Sequence, residues 1–179
     1  MGNFKGKFGP LLIAEIGGNH EGDFEYAKKL TKLAIDTNVD FIKFQIYTGD
    51  SLVSKLESPK RNQHFKKFEL TNEQHLELAK MVTDAGIGYM SSVWDMDAMS
   101  WIDSFIPIYK IGSGDLTAYP VIKKTIKKEK PIIISTGLST EKEVLNCIEY
   151  IQKINPLYKK KDMLAILQAW SNAINSTTA

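Results

Sequence analysis

Pro131-Ile132-Ile133-Ile134-Ser135-Thr136 sets the fold class. Three isoleucines follow a proline without alternation, and two hydroxyl residues close the run. A strand with one wet face alternates apolar and polar residues, whereas a strand covered on both faces does not. The run therefore predicts a strand of a parallel sheet flanked by helices. Outward from it, comparable runs predict strands over 11–16, 41–46, 88–93, 108–112 and 162–168, besides 131–136 itself. Helical patterns fill the intervals. The first spans 24–37, with Ala27, Leu30 and Ala34 on one stripe and Lys28, Lys29 and Lys32 turned away. The second opens with a Thr71/Gln74 capping box, buries Leu78, Ala79 and Val82, and stops at Gly86. A third covers about 95–104 with Asp95 as its cap, and a fourth starts near Pro120. The fifth opens with a Thr140/Glu143 box, buries Val144, Ile148 and Ile151, and ends at Asn155-Pro156.

Repeated βα units lead to a doubly wound sheet or a (β/α)8 TIM-type barrel. Polar residues close nearly every predicted strand: Glu15, Gln45, Ser91 and Ser92, Ser113, Ser135 and Thr136, Gln168. A doubly wound sheet gathers its site at one switch point, whereas a barrel collects residues from many strand ends. The pattern therefore predicts a barrel. With 179 residues against the roughly 250 such a barrel typically needs, it is expected to be truncated to about six βα units. One connection is long: Tyr47 to Leu70, carrying Lys55, Lys60, Arg61, Lys66 and Lys67. It reads as a loop, either a lid over an anionic substrate or a solvated insertion.

Net charge is +2, which gives no global pull toward nucleic acid or membrane. No apolar run approaches the roughly 20 residues of a bilayer span. The N-terminal residues lack a secretory apolar core. The single cysteine, Cys147, excludes an internal disulfide and suits a reducing, cytoplasmic setting.

Glu15-Ile16-Gly17-Gly18-Asn19-His20-Glu21-Gly22 ends the first apolar run in glycines, an amide, an imidazole and carboxylates. In Phe41-Ile42-Lys43-Phe44-Gln45, the period of two puts Lys43 and Gln45 on one face. Lys110 also sits within a strand, ahead of Gly112-Ser113-Gly114-Asp115. A lysine inside a buried strand needs an anion beside it. Two such lysines, with strand-end hydroxyls and glycine-flanked amides, describe a pocket for phosphate and carboxylate. The plainer account is a pair of buried ion pairs, for example Lys43 with Glu15.

Glu15 to Gly22, Lys43-Phe44-Gln45, Tyr109-Lys110-Ile111-Gly112-Ser113-Gly114-Asp115 and Ser135-Thr136-Gly137 resemble, in order and spacing, the sialic acid synthase family. The likeness runs from about residue 10 to 168. It implies a (β/α)8 barrel followed by a small antifreeze-like domain, a homodimer in the full-length family member, and a divalent metal, manganese or magnesium. The implied reaction condenses phosphoenolpyruvate with an N-acetylated amino sugar, such as N-acetylmannosamine, to a nine-carbon sialic-type acid, releasing phosphate. The likeness gives Lys43 and Lys110 the phosphate and carboxylate of phosphoenolpyruvate, with Ser113 and Ser135 adding hydrogen bonds. It sets Glu21 against the sugar or in proton transfer, and Gln45 in the pocket lining. Asp115 stands where some members carry Glu, and Ser92 where others have Thr followed by Pro. The family's Asn-x-Tyr-Pro segment is replaced by Ala169-Trp170-Ser171-Asn172. None of His20, His64 or His75 corresponds to the family's metal ligands, and His20 is expected to hydrogen-bond rather than ligate. The expected organisation is a partial barrel over 1–168, a non-family tail over 169–179, and no antifreeze-like domain. Two alternatives stand beside the synthase reading: a Schiff-base aldolase using Lys43 or Lys110, and a non-catalytic anion-binding fragment.

Overall fold

The computed structural model describes residues 5–158. The strand predicted over 162–168 and the tail over 169–179 lie outside them. After a short hairpin of β1 (Lys5–Gly6) and β2 (Gly9–Pro10), the chain alternates strands and helices. The order is β3 (Ile13–Gly17), α1 (Phe24–Asp36), β4 (Phe41–Ile46), α2 (Gly49–Leu52), α3 (Pro59–Phe68), α4 (Asn72–Asp84), β5 (Gly88–Val93), α5 (Ala98–Trp101), β6 (Tyr109–Ile111), α6 (Tyr119–Ile126), β7 (Ile132–Ile134) and α7 (Glu141–Ile154). The five longer strands form one sheet in the order β3-β4-β5-β6-β7, with parallel pairing from β3 through β6. Spatial order equals chain order throughout. A doubly wound sheet reverses direction at a switch point; this one does not, so its winding is that of a (β/α)8 barrel wall.

The described residues divide into two units: the chain up to Ile111 with Lys130–Ile133, and Gly112–Glu129 with the chain from Ile134. In the first, Ile42, Phe44, Ile46, Tyr89, Val93, Tyr109 and Ile111 point to one side and are buried. Phe44 and Tyr89 stack there at 5.3 Å between ring centres. α1 and α4 pack on this unit's strands. α4 opens with the expected Thr71/Gln74 box and buries Leu78, Ala79 and Val82. In the second unit α7 opens with the Thr140/Glu143 box, buries Val144, Cys147, Ile148 and Ile151, and ends at Asn155. Tyr119 and Tyr150 pack within the same unit at 4.5 Å between ring centres.

Four expectations are corrected. The connection from Tyr47 to Leu70 is not a loop, because α2 and α3 occupy most of it. The helix predicted over 95–104 is broken into α5 and a 3-10 turn at Asp103–Phe105, and Asp95 caps only a turn, accepting from the Asp97 N–H at 2.9 Å. In α1 the buried positions are Ala27 and Thr31; Thr31 donates its hydroxyl to the Ala27 carbonyl, so a polar residue fits the stripe. Finally, β7 is shorter than 131–136 and its isoleucines are half-buried, so continuous apolarity marked a strand of the sheet without full coverage.

Candidate anion-binding site

Cross-strand register builds the site. Glu15 is paired with Lys43, and Lys43 with Met90. One step further along, Gln45 is paired with Ser92, and Ser92 with Lys110. Registered residues of parallel strands share a face, and Lys43 and Gln45 are two apart. Glu15, Lys43, Gln45, Ser92 and Lys110 therefore lie on one face of the sheet, opposite the Phe44–Tyr89 layer. Gln45 and Ser92 lie one residue short of the C-terminal ends of β4 and β5, the end at which barrel enzymes carry their chemistry, while Glu15, Lys43 and Lys110 sit mid-strand.

Lys43 is tied to Glu15 through both carboxylate oxygens, at 2.9 and 2.7 Å. The plainer account of Lys43 is thus present as a real ion pair. The pair is unequal: the lysine side chain is 8% exposed and the glutamate 50%. Lys110 donates to the Ile111 carbonyl at 2.8 Å and is half-buried. Ser92 is buried and Gln45 is half-buried.

The Glu15–Gly22 stretch is a chain of tight turns. Asn19, Glu21 and Asp23 N–H groups donate to the carbonyls of Ile16, Gly18 and His20. A bulge between Glu15 and Gly17 bends the end of β3, and Gly17 takes φ +53. A side chain at Gly17 would begin 2.9 Å from the Glu15 carboxylate and 3.4 Å from the Gln45 amide. Glycine here lets the backbone run beside both groups. Glu21 is exposed and also left-handed, at φ +54. Gly22 follows at φ +84, pressed against the Lys67 carbonyl at the end of α3. His20 is buried, and its Nδ1 accepts from the Gly22 N–H at 3.1 Å. That is the hydrogen-bonding role expected of it, and burial pulls its pKa down.

Ser113, Asp115 and Ser135 belong to the second unit. Ser113 and Asp115 bound a 3-10 turn, and a side chain at Gly137 would begin 3.5 Å from the Ser113 hydroxyl. Among the described residues no three His, Cys, Asp or Glu side chains converge to hold a metal ion. Glu15 was read as a strand-end carboxylate and as a partner for Lys43; its register with Lys43 adds it to the row. His75 joins Leu78, Ala79 and Val82 in the buried stripe of α4, which the sequence reading left at three residues.

Comparison with known proteins places this arrangement. The NeuB family matches residues 30–173. The N,N'-diacetyllegionaminic acid synthase of Legionella pneumophila is 32% identical over 177 residues, covering 90% of this chain and 49% of that protein. Human N-acetylneuraminate-9-phosphate synthase is 29% identical over 158 residues, covering 82% and 44%. Among solved structures, the N-acetylneuraminic acid (sialic acid) synthetase of Leptospira borgpetersenii, in complex with citrate, superposes with a TM-score of 0.74. It is 23% identical, covering 80% of this chain and 50% of that one, and it supports the fold. The chain spans about half the length of these relatives.

Proposed function

We propose, from the premise that this chain belongs to the NeuB family, that it takes part in condensing phosphoenolpyruvate with an N-acetylated amino sugar of the N-acetylmannosamine type. The product is a nine-carbon sialic-type acid, and phosphate is released. The observation that carries this reading is the cross-strand placement of Lys43, Gln45, Ser92 and Lys110 on one sheet face.

In this reading Lys43 and Lys110 bind the phosphate and carboxylate of phosphoenolpyruvate. Preorganised cations beside a departing phosphate stabilise the charge that develops on it. Gln45 and Ser92, lying between them in register, supply neutral hydrogen bonds that orient the substrate. Glu21, exposed on its turn, contacts the sugar or moves a proton. Ser113, Asp115 and Ser135 are assigned as substrate-contacting residues of the second unit. A manganese or magnesium ion belongs to the family's reaction, but the described residues offer no donor set for it, so no step is routed through one.

The Schiff-base alternative is disfavoured by the commitment of Lys43 to Glu15, since that chemistry starts from a free amine. Calorimetric titration of phosphoenolpyruvate, pyruvate and inorganic phosphate into the chain tests the proposal. Phosphoenolpyruvate is expected to bind at least about tenfold more tightly than pyruvate, because only it engages both lysines. Equal binding of the two, or a borohydride-trapped pyruvate adduct on Lys43 or Lys110, would overturn it.

A further inference from the structure

Lys43 holds its ion pair on unequal terms. Its side chain is nearly sealed from water, while the carboxylate facing it is half in solvent. Its hydrogen bond and its ion pair both go to Glu15, whose two oxygens share one ammonium. An anion arriving at a lysine already neutralised gains little, and it is repelled by the carboxylate that neutralises it. A sealed lysine cannot move to meet the ligand. A half-exposed carboxylate can return to water at small cost. Glycine at position 17 keeps a third side chain away from the Glu15 carboxylate and the Gln45 amide, which a Cβ there would meet at 2.9 and 3.4 Å.

We infer that Glu15 is a positioning residue, a displaceable counter-anion that keeps Lys43 paired and aimed until a phosphate- or carboxylate-bearing substrate replaces it. This rests on the proposed function, because it takes Lys43 as the anion-binding group. In the unliganded protein, Glu15 removes the desolvation problem of a buried ammonium. On binding, the ligand's oxygens take over the contacts to Nζ and the carboxylate swings outward. Affinity is then a difference between two anions competing for one cation. Small anions that cannot displace the carboxylate bind weakly, which selects for ligands carrying several negative charges.

The test is a double-mutant cycle on the chain, read by calorimetric titration of phosphoenolpyruvate at fixed ionic strength. Circular dichroism checks each fold. Glu15→Gln is expected to bind about tenfold more tightly than the parent, since no carboxylate has to be displaced. Lys43→Met is expected to bind at least about tenfold more weakly. Glu15→Gln in the Lys43→Met background is expected to add nothing, because the competition it relieves is gone. Should Glu15→Gln fail to fold, Glu15→Ser takes its place with the same expectation. A tightening on Glu15 substitution cannot come from a merely structural role, which would only weaken binding. Glu15→Gln binding no better than the parent, while Lys43→Met loses binding, overturns this inference and leaves the site reading standing. Lys43→Met binding like the parent, or no binding by either parent or Glu15→Gln, overturns the site reading and this inference with it.

Discussion

His75 sits 2% exposed on α4, its Nδ1 without a hydrogen-bond partner among the described residues. Burial, reinforced by the nearby His20, pulls its pKa from 6.5 to about 4. The unfolded chain therefore binds more protons than the folded one between those values. Stability is complete above about pH 6.5 and falls as the pH drops toward 4, by about 3 kcal/mol for this group. His20 adds to the fall in the same direction. Its protonation would also remove the acceptor for the Gly22 N–H, beside Glu21. Urea midpoints measured from pH 7 to 4.5 are expected to drop more steeply in the parent than in His75→Gln; parallel slopes would contradict this. A second residue prediction concerns Gly22. Its left-handed φ and its contact with the Lys67 carbonyl leave no room for a methyl group. Gly22→Ala is expected to cost about 1–3 kcal/mol in denaturant melts. At this scale the shared face of Lys43 and Gln45 was legible, because it follows from the period of two within a strand. The sequence did not announce the Glu15–Lys43 geometry as a site feature, since a bidentate pair depends on side-chain placement across two strands.

The α2–α3 arm shows where element reading stopped. Its residues carry no apolar stripe: α2 is a single turn, and α3 buries only Asn62. The local signals were nonetheless present, in a Thr48/Ser51 capping box and in Pro59 at the start of α3. Besides the edge contact of Phe65 with Tyr47, at 5.6 Å between ring centres, what holds the arm is polar. The Asn62 amide nitrogen lies within 3.0 Å of the Gly49 carbonyl, the Asp50 carboxylate and the Val53 carbonyl. Glu69 accepts from the Gly49 N–H, and Lys66 pairs with Asp50 at 2.7 Å. Asn62→Ala would strand buried acceptors at a cost of about 1–3 kcal/mol. Hydrogen exchange is expected to quicken for amides of 49–53 and 62–66 while those of β4 and β5 keep their protection. Equal loss in arm and sheet would show that the arm is not a separable element. The capped helices α4 and α7 were legible throughout, because a capping box and an apolar stripe state the same register twice.

At the scale of the molecule, the order β3-β4-β5-β6-β7 joins each strand to the next through helical connections, and this much was legible from apolar runs and polar strand ends. The coverage of β7 was not, since burial depends on what packs against a strand rather than on its own composition. The first unit presents the proposed anion-binding face, while the described residues present no three-donor metal group. The expected behaviour is phosphoenolpyruvate binding without turnover. Phosphate release with phosphoenolpyruvate, N-acetylmannosamine and manganese should stay at the protein-free rate, and a catalytic rate in that assay would contradict this. If the cross-strand row of Lys43, Gln45, Ser92 and Lys110 receives the anion, an amide chemical-shift titration of the isotope-labelled chain with phosphoenolpyruvate will report it residue by residue. Saturable shifts concentrated at residues 15–22, 43–46, 91–93 and 110–112 are predicted; shifts confined to the exposed lysines of α3 and α6, or no saturation, would contradict it.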